Sequence, residues 1–188
     1  MTRLKMSHLA AIAAFAIAAV TGSQAQMAEP PLTDANIGAI VIAADQIDID
    51  YARLALAKSK NKQVREFAER MVTDHGAVQE AVFQLAAKLN LTPAENSISE
   101  GLKKNAQEIT AKLKSLKGAE FDKFYIDNEV AYHKLVTDAV EAALIPSASN
   151  AELKAALVGA QPLFLKHLEH ARVIQQGNGM NAGMQGSK

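Results

Sequence analysis

The segment VREFAERMVTDHGAVQEAV, Val64 to Val82, decides the architecture. Val64, Ala68, Met71, His75, Val78 and Val82 recur at i+3 and i+4, which places them on one stripe of an α-helix. Glu66, Glu69, Arg70 and Thr73 fall on the opposite side. The rhythm runs on to about Leu89; Asn61 stands ahead of it as a side-chain cap, and Asn90 to Asn96, with Pro93, ends it as a loop. One member of the stripe is out of character. His75 puts a polar ring where a Met or Leu belongs, and a buried ring without a partner costs free energy.

Outward from this segment the rhythm returns. Thr33 and Asp34 can cap a first helix reaching about Ser59, with Ile37, Val41, Ala44, Asp48, Tyr51 and Ala55 on one stripe. Ser97 with Glu100 reads as a capping box for a shorter Lys-rich helix ending near Gly118. Glu120 to Leu144 carries Ile126, Val130, His133, Val136 and Val140 on one face. Pro146 to Ser149 breaks that run, Asn150 can cap the last one, and Gly177 reads as its stop. No run alternates with period two, so strands are not supported. Four runs of about 25 residues, each roughly 38 Å long, predict an all-α chain folded as a ferritin-like four-helix bundle. The link between the second and fourth runs holds the Lys-rich helix and is long enough to travel the bundle. The two flanking helices then run parallel, which makes the link a crossover connection.

Residues 1–25 read as a signal peptide: Arg3 and Lys5 are followed by the apolar run Leu9 to Val20 and then by Ser23-Gln24-Ala25. That run is shorter than the roughly 20 residues a spanning helix needs. The expected mature chain starts at Gln26, with a lead-in over 26–32, the bundle over 33–176 and a disordered Gly/Asn/Met-rich tail over 177–188. The implied location is exported, periplasmic. Twenty basic and twenty acidic residues cancel in the 188-residue chain, so no nucleic-acid footprint is present. The absence of cysteine excludes disulfides, thiolate metal sites and cysteine nucleophiles.

Several clusters recur as a pattern: Leu54-Ala55-Leu56, Val64 to Ala68, Met71-Val72-Thr73-Asp74-His75, Gly118 to Asp122 with Tyr125, and Pro162 followed by His167-Leu168. This pattern resembles the exported bacterial family catalogued as domain of unknown function 4142. The resemblance spans about Asp34 to Ile174 and implies a ferritin-like bundle and export. It also carries over His75, His133 and His167 as family positions, and an acidic residue at Asp48.

The candidate site follows from level as well as stripe. Asp48 and His75 lie almost equally far from Asn61, one before it and one after, so the first hairpin sets them side by side. His133 reaches the same level if the second and fourth helices are parallel. Asp48, His75 and His133 are therefore expected to share one buried polar cluster. His167, counted from Asn150, falls about six residues, or roughly 9 Å, from that level. His170 lies one turn beyond it and can pair with it at i, i+3. Asp45 and Asp50 read as solvated.

Imidazole with a carboxylate suits Zn, Cu, Ni and Fe, so the metal set is Asp48, His75, His133 and His167. Affinity is expected to fall near pH 6 as the imidazoles protonate. A di-iron site is not expected, because the positions three before His75, His133 and His167 are Val72, Val130 and Phe164 rather than Glu. Catalytic turnover ranks last, as no acid/base pair of known geometry can be read. Two function classes stand: a periplasmic metal-binding bundle in metal buffering or envelope stress protection, or a non-catalytic module that binds an envelope protein partner.

Overall fold

The computed structural model describes the backbone of residues 31–185 and the side chains of 31–177. The expected signal peptide and its cleavage point lie outside the described residues. The elements are α1 (Asp34–Lys58), α2 (Lys62–Lys88), α3 (Ser97–Ser115), α4 (Gly118–Ala139), a π-helical turn (Val140–Leu144), α5 (Ile145–Ser147) and α6 (Ala151–Gln185). Among the described residues no strand occurs, and the chain is all-α.

The caps explain the boundaries. Thr33 and Asn36 reciprocate as a capping box at α1, and the Asn61 side chain accepts from the amides of Gln63 and Val64 at α2. At α3 the box sits one residue earlier than the sequence reading had it. Asn96 accepts from the amides of Ile98 and Ser99, and Ser99 Oγ accepts from the Asn96 amide at 3.1 Å. Asn150 caps α6 through the amides of Glu152 and Leu153. That last helix then carries past Gly177 to Gln185 instead of stopping. Gly177 does not adopt the left-handed conformation that ends helices, and one glycine inside a helix costs only about 1 kcal/mol.

Two clamps fix the topology. The Asp34 carboxylate accepts from the amides of Ser149 and Asn150, at 2.8 and 3.0 Å, so α1 and α6 start together. At the other end Lys58 Nζ donates to the carbonyls of Leu113 and Lys114 and lies over the Phe121 ring. The end of α1 therefore meets the end of α3 and the start of α4. α1 and α6 run one way, α2 and α4 the other, and α3 travels back along α1 as the expected crossover. α1 is buried on nearly every side, from Ile37 to Ala55, with only short stretches facing out. Aromatic and aliphatic residues fill the Lys58 end, among them Tyr51, Phe67, Phe121 and Tyr125. The Asp34 end is aliphatic and looser, with a cavity of about 570 Å³ lined by Val41, Val82, Leu102, Val140, Leu144 and Leu157. The polar cluster lies between these two halves.

Candidate metal centre

Each of the four long bundle helices sends polar side chains to the same level. α1 supplies Asp45 and Asp48, α2 supplies His75, α4 supplies Glu129 and His133, and α6 supplies His167. All six are buried: Asp48 and Glu129 are 0% exposed, His133 and His167 1%, Asp45 2% and His75 3%.

The three imidazoles form a triangle. Their ring centroids are 5.5 Å apart for His75 and His133, 5.2 Å for His75 and His167, and 5.4 Å for His133 and His167. In every ring one nitrogen is anchored and the other is free. His75 Nδ1–H donates to Asp45 Oδ1 at 2.8 Å, His133 Nδ1–H to the Glu129 carbonyl at 3.0 Å, and His167 Nε2–H to Asp74 Oδ2 at 2.8 Å. The opposite nitrogens, His75 Nε2, His133 Nε2 and His167 Nδ1, are buried without a hydrogen-bond partner. One ring nitrogen from each lies within 4.8 Å of the others. Phe164 stacks on His75 at 5.3 Å and 10°, which further fixes that ring.

Asp48 closes the fourth side. Its Oδ2 lies 3.1 Å from His75 Nε2 and 3.3 Å from His133 Nε2, yet neither carboxylate oxygen makes a well-directed hydrogen bond. Both oxygens of Glu129 likewise make no well-directed hydrogen bond, although Oε2 lies 3.4 Å from His133 Nδ1. Burial drives Asp45, Asp48, Glu129, His75 and His167 toward their neutral forms. It raises Asp45 and Glu129 to about 8 and, aided by the charge of Glu129, Asp48 to about 7. It lowers His75, and lowers His167 to about 4. Protons thus collect on these three carboxyls rather than on His75 and His167, contrary to the pH reading made from residue type.

All four residues of the expected set, Asp48, His75, His133 and His167, meet here. The offset assigned to His167 does not exist at that size. Because Asp34 clamps Asn150, levels on α1 and α6 count from a shared origin, and Asp48 and His167 then differ by only about three residues. Asp45, read as solvated, is buried and holds His75, because α1 has no solvated face at that point. Asp50 is exposed and bonds to Gln46. His170 does not join His167 as a chelating pair; its ring packs edge-on against Phe67 at 5.3 Å. Sequence reading missed Glu129 and Asp74 as members. Glu129 sits four residues before His133, on the same helix face, and Asp74 adjoins His75, so both spacings were present in the sequence.

A helical bundle with a buried imidazole and carboxylate cluster at mid-height is the class that fold and geometry define. The chain belongs to the family described as Domain of unknown function (DUF4142), whose model matches residues 18–174. No curated protein matches the sequence. The solved structure of CopM in the Cu(II)-bound form is similar in fold, with a TM-score of 0.62 over 79% of this chain and 99% of that one, at 13% identity. Among the described residues no helix is long and apolar enough to cross a membrane.

Proposed function

We propose that this protein is an exported, periplasmic metal-binding bundle that takes one divalent transition-metal ion on His75 Nε2, His133 Nε2, His167 Nδ1 and Asp48, and serves in metal buffering or envelope stress protection. The observation that carries the reading is the division of labour in each ring. Metal-ligating histidines almost always commit their second nitrogen to a carboxylate, carbonyl or water, which fixes the tautomer and raises ligand basicity. Asp45, the Glu129 carbonyl and Asp74 do this for all three rings. Three buried ring nitrogens without hydrogen-bond partners in one cluster are otherwise expensive.

Three imidazoles and a carboxylate suit Cu(II), Zn(II), Ni(II) and Fe(II), and the order of divalent affinities puts Cu(II) first. The fold likeness to CopM, solved with Cu(II) bound, agrees with that ranking. Burial of the donors favours holding an ion over turning over a substrate. A second reading, docking to an envelope protein, draws on Val158, Leu165 and Val173 of α6, which lie on one face and are 50%, 47% and 55% exposed.

Elemental analysis of tag-free protein purified from the periplasm tests the main reading. At least one equivalent of metal, lost in His75→Ala, is the expected result. Apo protein that takes neither Cu(II) nor Zn(II) would leave the docking reading in its place.

A further inference from the structure

Beside the histidine triangle, α4 presents a second row of donors. Tyr125, Glu129 and His133 stand at i, i+4 and i+8, one above another on the same face. Glu129 and Tyr125 are both 0% exposed, and neither the Glu129 carboxylate oxygens nor the Tyr125 hydroxyl has a hydrogen-bond partner. Asp48, from α1, faces this row as well as the triangle. Ligand atoms of Asp48, Glu129 and His133 lie within 4.8 Å of one another. Tyr125 stands one turn before Glu129 on this face, with its hydroxyl buried.

Charge makes the pocket informative. Once an ion sits on the three neutral imidazoles, its two positive charges offset two carboxylates. Four carboxylates surround the site: Asp45, Asp48, Glu129 and the part-exposed Asp74. Two negative charges are then left over, and the donor beside the Glu129 carboxylate, His133 Nδ1 at 3.4 Å, is already committed to the Glu129 carbonyl at 3.0 Å. A buried carboxylate in that position needs either a proton or a second cation.

We propose that the protein holds a second divalent cation next to the first, on oxygen donors: Glu129, Asp48 as a carboxylate shared between the two ions, and the Tyr125 hydroxyl. Four carboxylates match two divalent ions in charge. The donor types differ as well. The first ion sits mainly on imidazole nitrogen, whereas the second sits on carboxylate and phenol oxygen, which suits a harder ion such as Mn(II). The site is therefore a two-ion centre with unlike halves, filled in order. This inference rests on the metal-binding reading, since the first ion supplies the ordering of Asp48.

Native mass spectrometry of the apo chain titrated with Zn(II) counts the ions directly. Electron paramagnetic resonance of Mn(II) added to protein preloaded with one Zn(II) reports the second half. Wild type should reach two Zn(II), and the Zn-preloaded form should immobilise one Mn(II). Glu129→Gln should stop at one Zn(II) and bind no Mn(II), while circular dichroism stays helical. Tyr125→Phe, which keeps the ring packing, should weaken the second ion about tenfold and leave the first unchanged. A wild-type chain that stops at one ion in millimolar excess would overturn the proposal, Glu129 then carrying a proton instead. So would a Glu129→Gln protein that still takes two. A chain that takes no ion at all fails the earlier reading too, and that outcome is distinct from stopping at one.

Discussion

His167 and His170 stand one turn apart on α6, and the helix turns them into different residues. His167 is 1% exposed, anchored through Nε2 by Asp74 of α2 and faced by two more imidazoles. His170 is half-buried and meets Phe67 edge-on, with Arg70 nearby; burial and that guanidinium both lower its proton affinity. The same side chain becomes a poised ligand in one setting and a packing ring in the other. What differs is the company across the interface: α2 offers Asp74 and His75 at one level and Phe67 and Arg70 at the other. Residue type names candidates, and the facing helix selects among them.

The largest effect should separate these two directly. His167→Ala should lower metal affinity at least 100-fold, whereas His170→Ala should leave it within about threefold, because only the first removes a ligand. Competition titration with a chromophoric chelator measures both. Equal losses at the two positions would erase the distinction.

A smaller effect tests the anchors. Asp45 touches the site only through His75 Nδ1, so Asp45→Ala should weaken metal binding about 10- to 100-fold, the range seen for outer-shell partners. Asp50→Ala, on the same helix but exposed, should do nothing measurable.

The architecture was legible because four long stripes, their caps and the crossover are local and periodic signals. Asp48, His75 and His133 were legible as a trio because two of them share a hairpin and the third sits on a parallel helix. The level of His167 was not, since it depends on the Asp34 clamp, a contact between residues 115 positions apart. Asp45 was hidden for a different reason. A stripe of fixed width assumes one solvated side, and α1 is surrounded by α2, α3 and α4, so its carboxyls at 45 and 48 both turn into protein. Glu129 and Asp74 were within reach of a simple rule, i−4 and i−1 from a stripe histidine, because a buried ring needs an anchor close by.

Protonation supplies an intermediate test. In the metal-free protein Asp45 and Glu129 sit near 8 and Asp48 near 7, raised by burial above their unfolded values. A raised acid stabilises the fold below its unfolded value, and that contribution is lost as pH rises through the folded one. Apo melting temperature should therefore fall between about pH 4 and pH 8. Metal affinity should move the opposite way, rising from pH 6 to pH 8 as ions displace carboxyl protons, by up to about tenfold per pH unit for each proton released. His167, lowered to about 4, contributes little to metal affinity in that range. On apo stability it and His75, also lowered, act the opposite way below about 6.5, so the fall is steepest above that pH. Calorimetry in two buffers of different ionisation enthalpy counts the protons; none released at pH 6.5 would contradict the carboxyl assignment.

The smallest expected effect returns to His170. If its role is packing, replacement should cost stability without touching the metal. The ring meets Phe67 at 5.3 Å and 71°, an edge-to-face contact of the kind worth about 0.5–1.5 kcal/mol beyond its buried area. Phe67 is fully buried, and it also contacts Tyr125 and His133 edge-on, at 6.2 and 6.4 Å. It therefore stands between His170 and the centre as an apolar partition. His170→Ala should lower apo stability by about 1 kcal/mol, read from urea midpoints at constant slope. His170→Phe retains an aromatic edge and should recover most of that loss, while neither change moves metal affinity. Recovery with Phe but not with Ala marks a packing contact. Recovery with neither, joined to weaker metal binding, would place His170 functionally inside the centre and undo its contrast with His167.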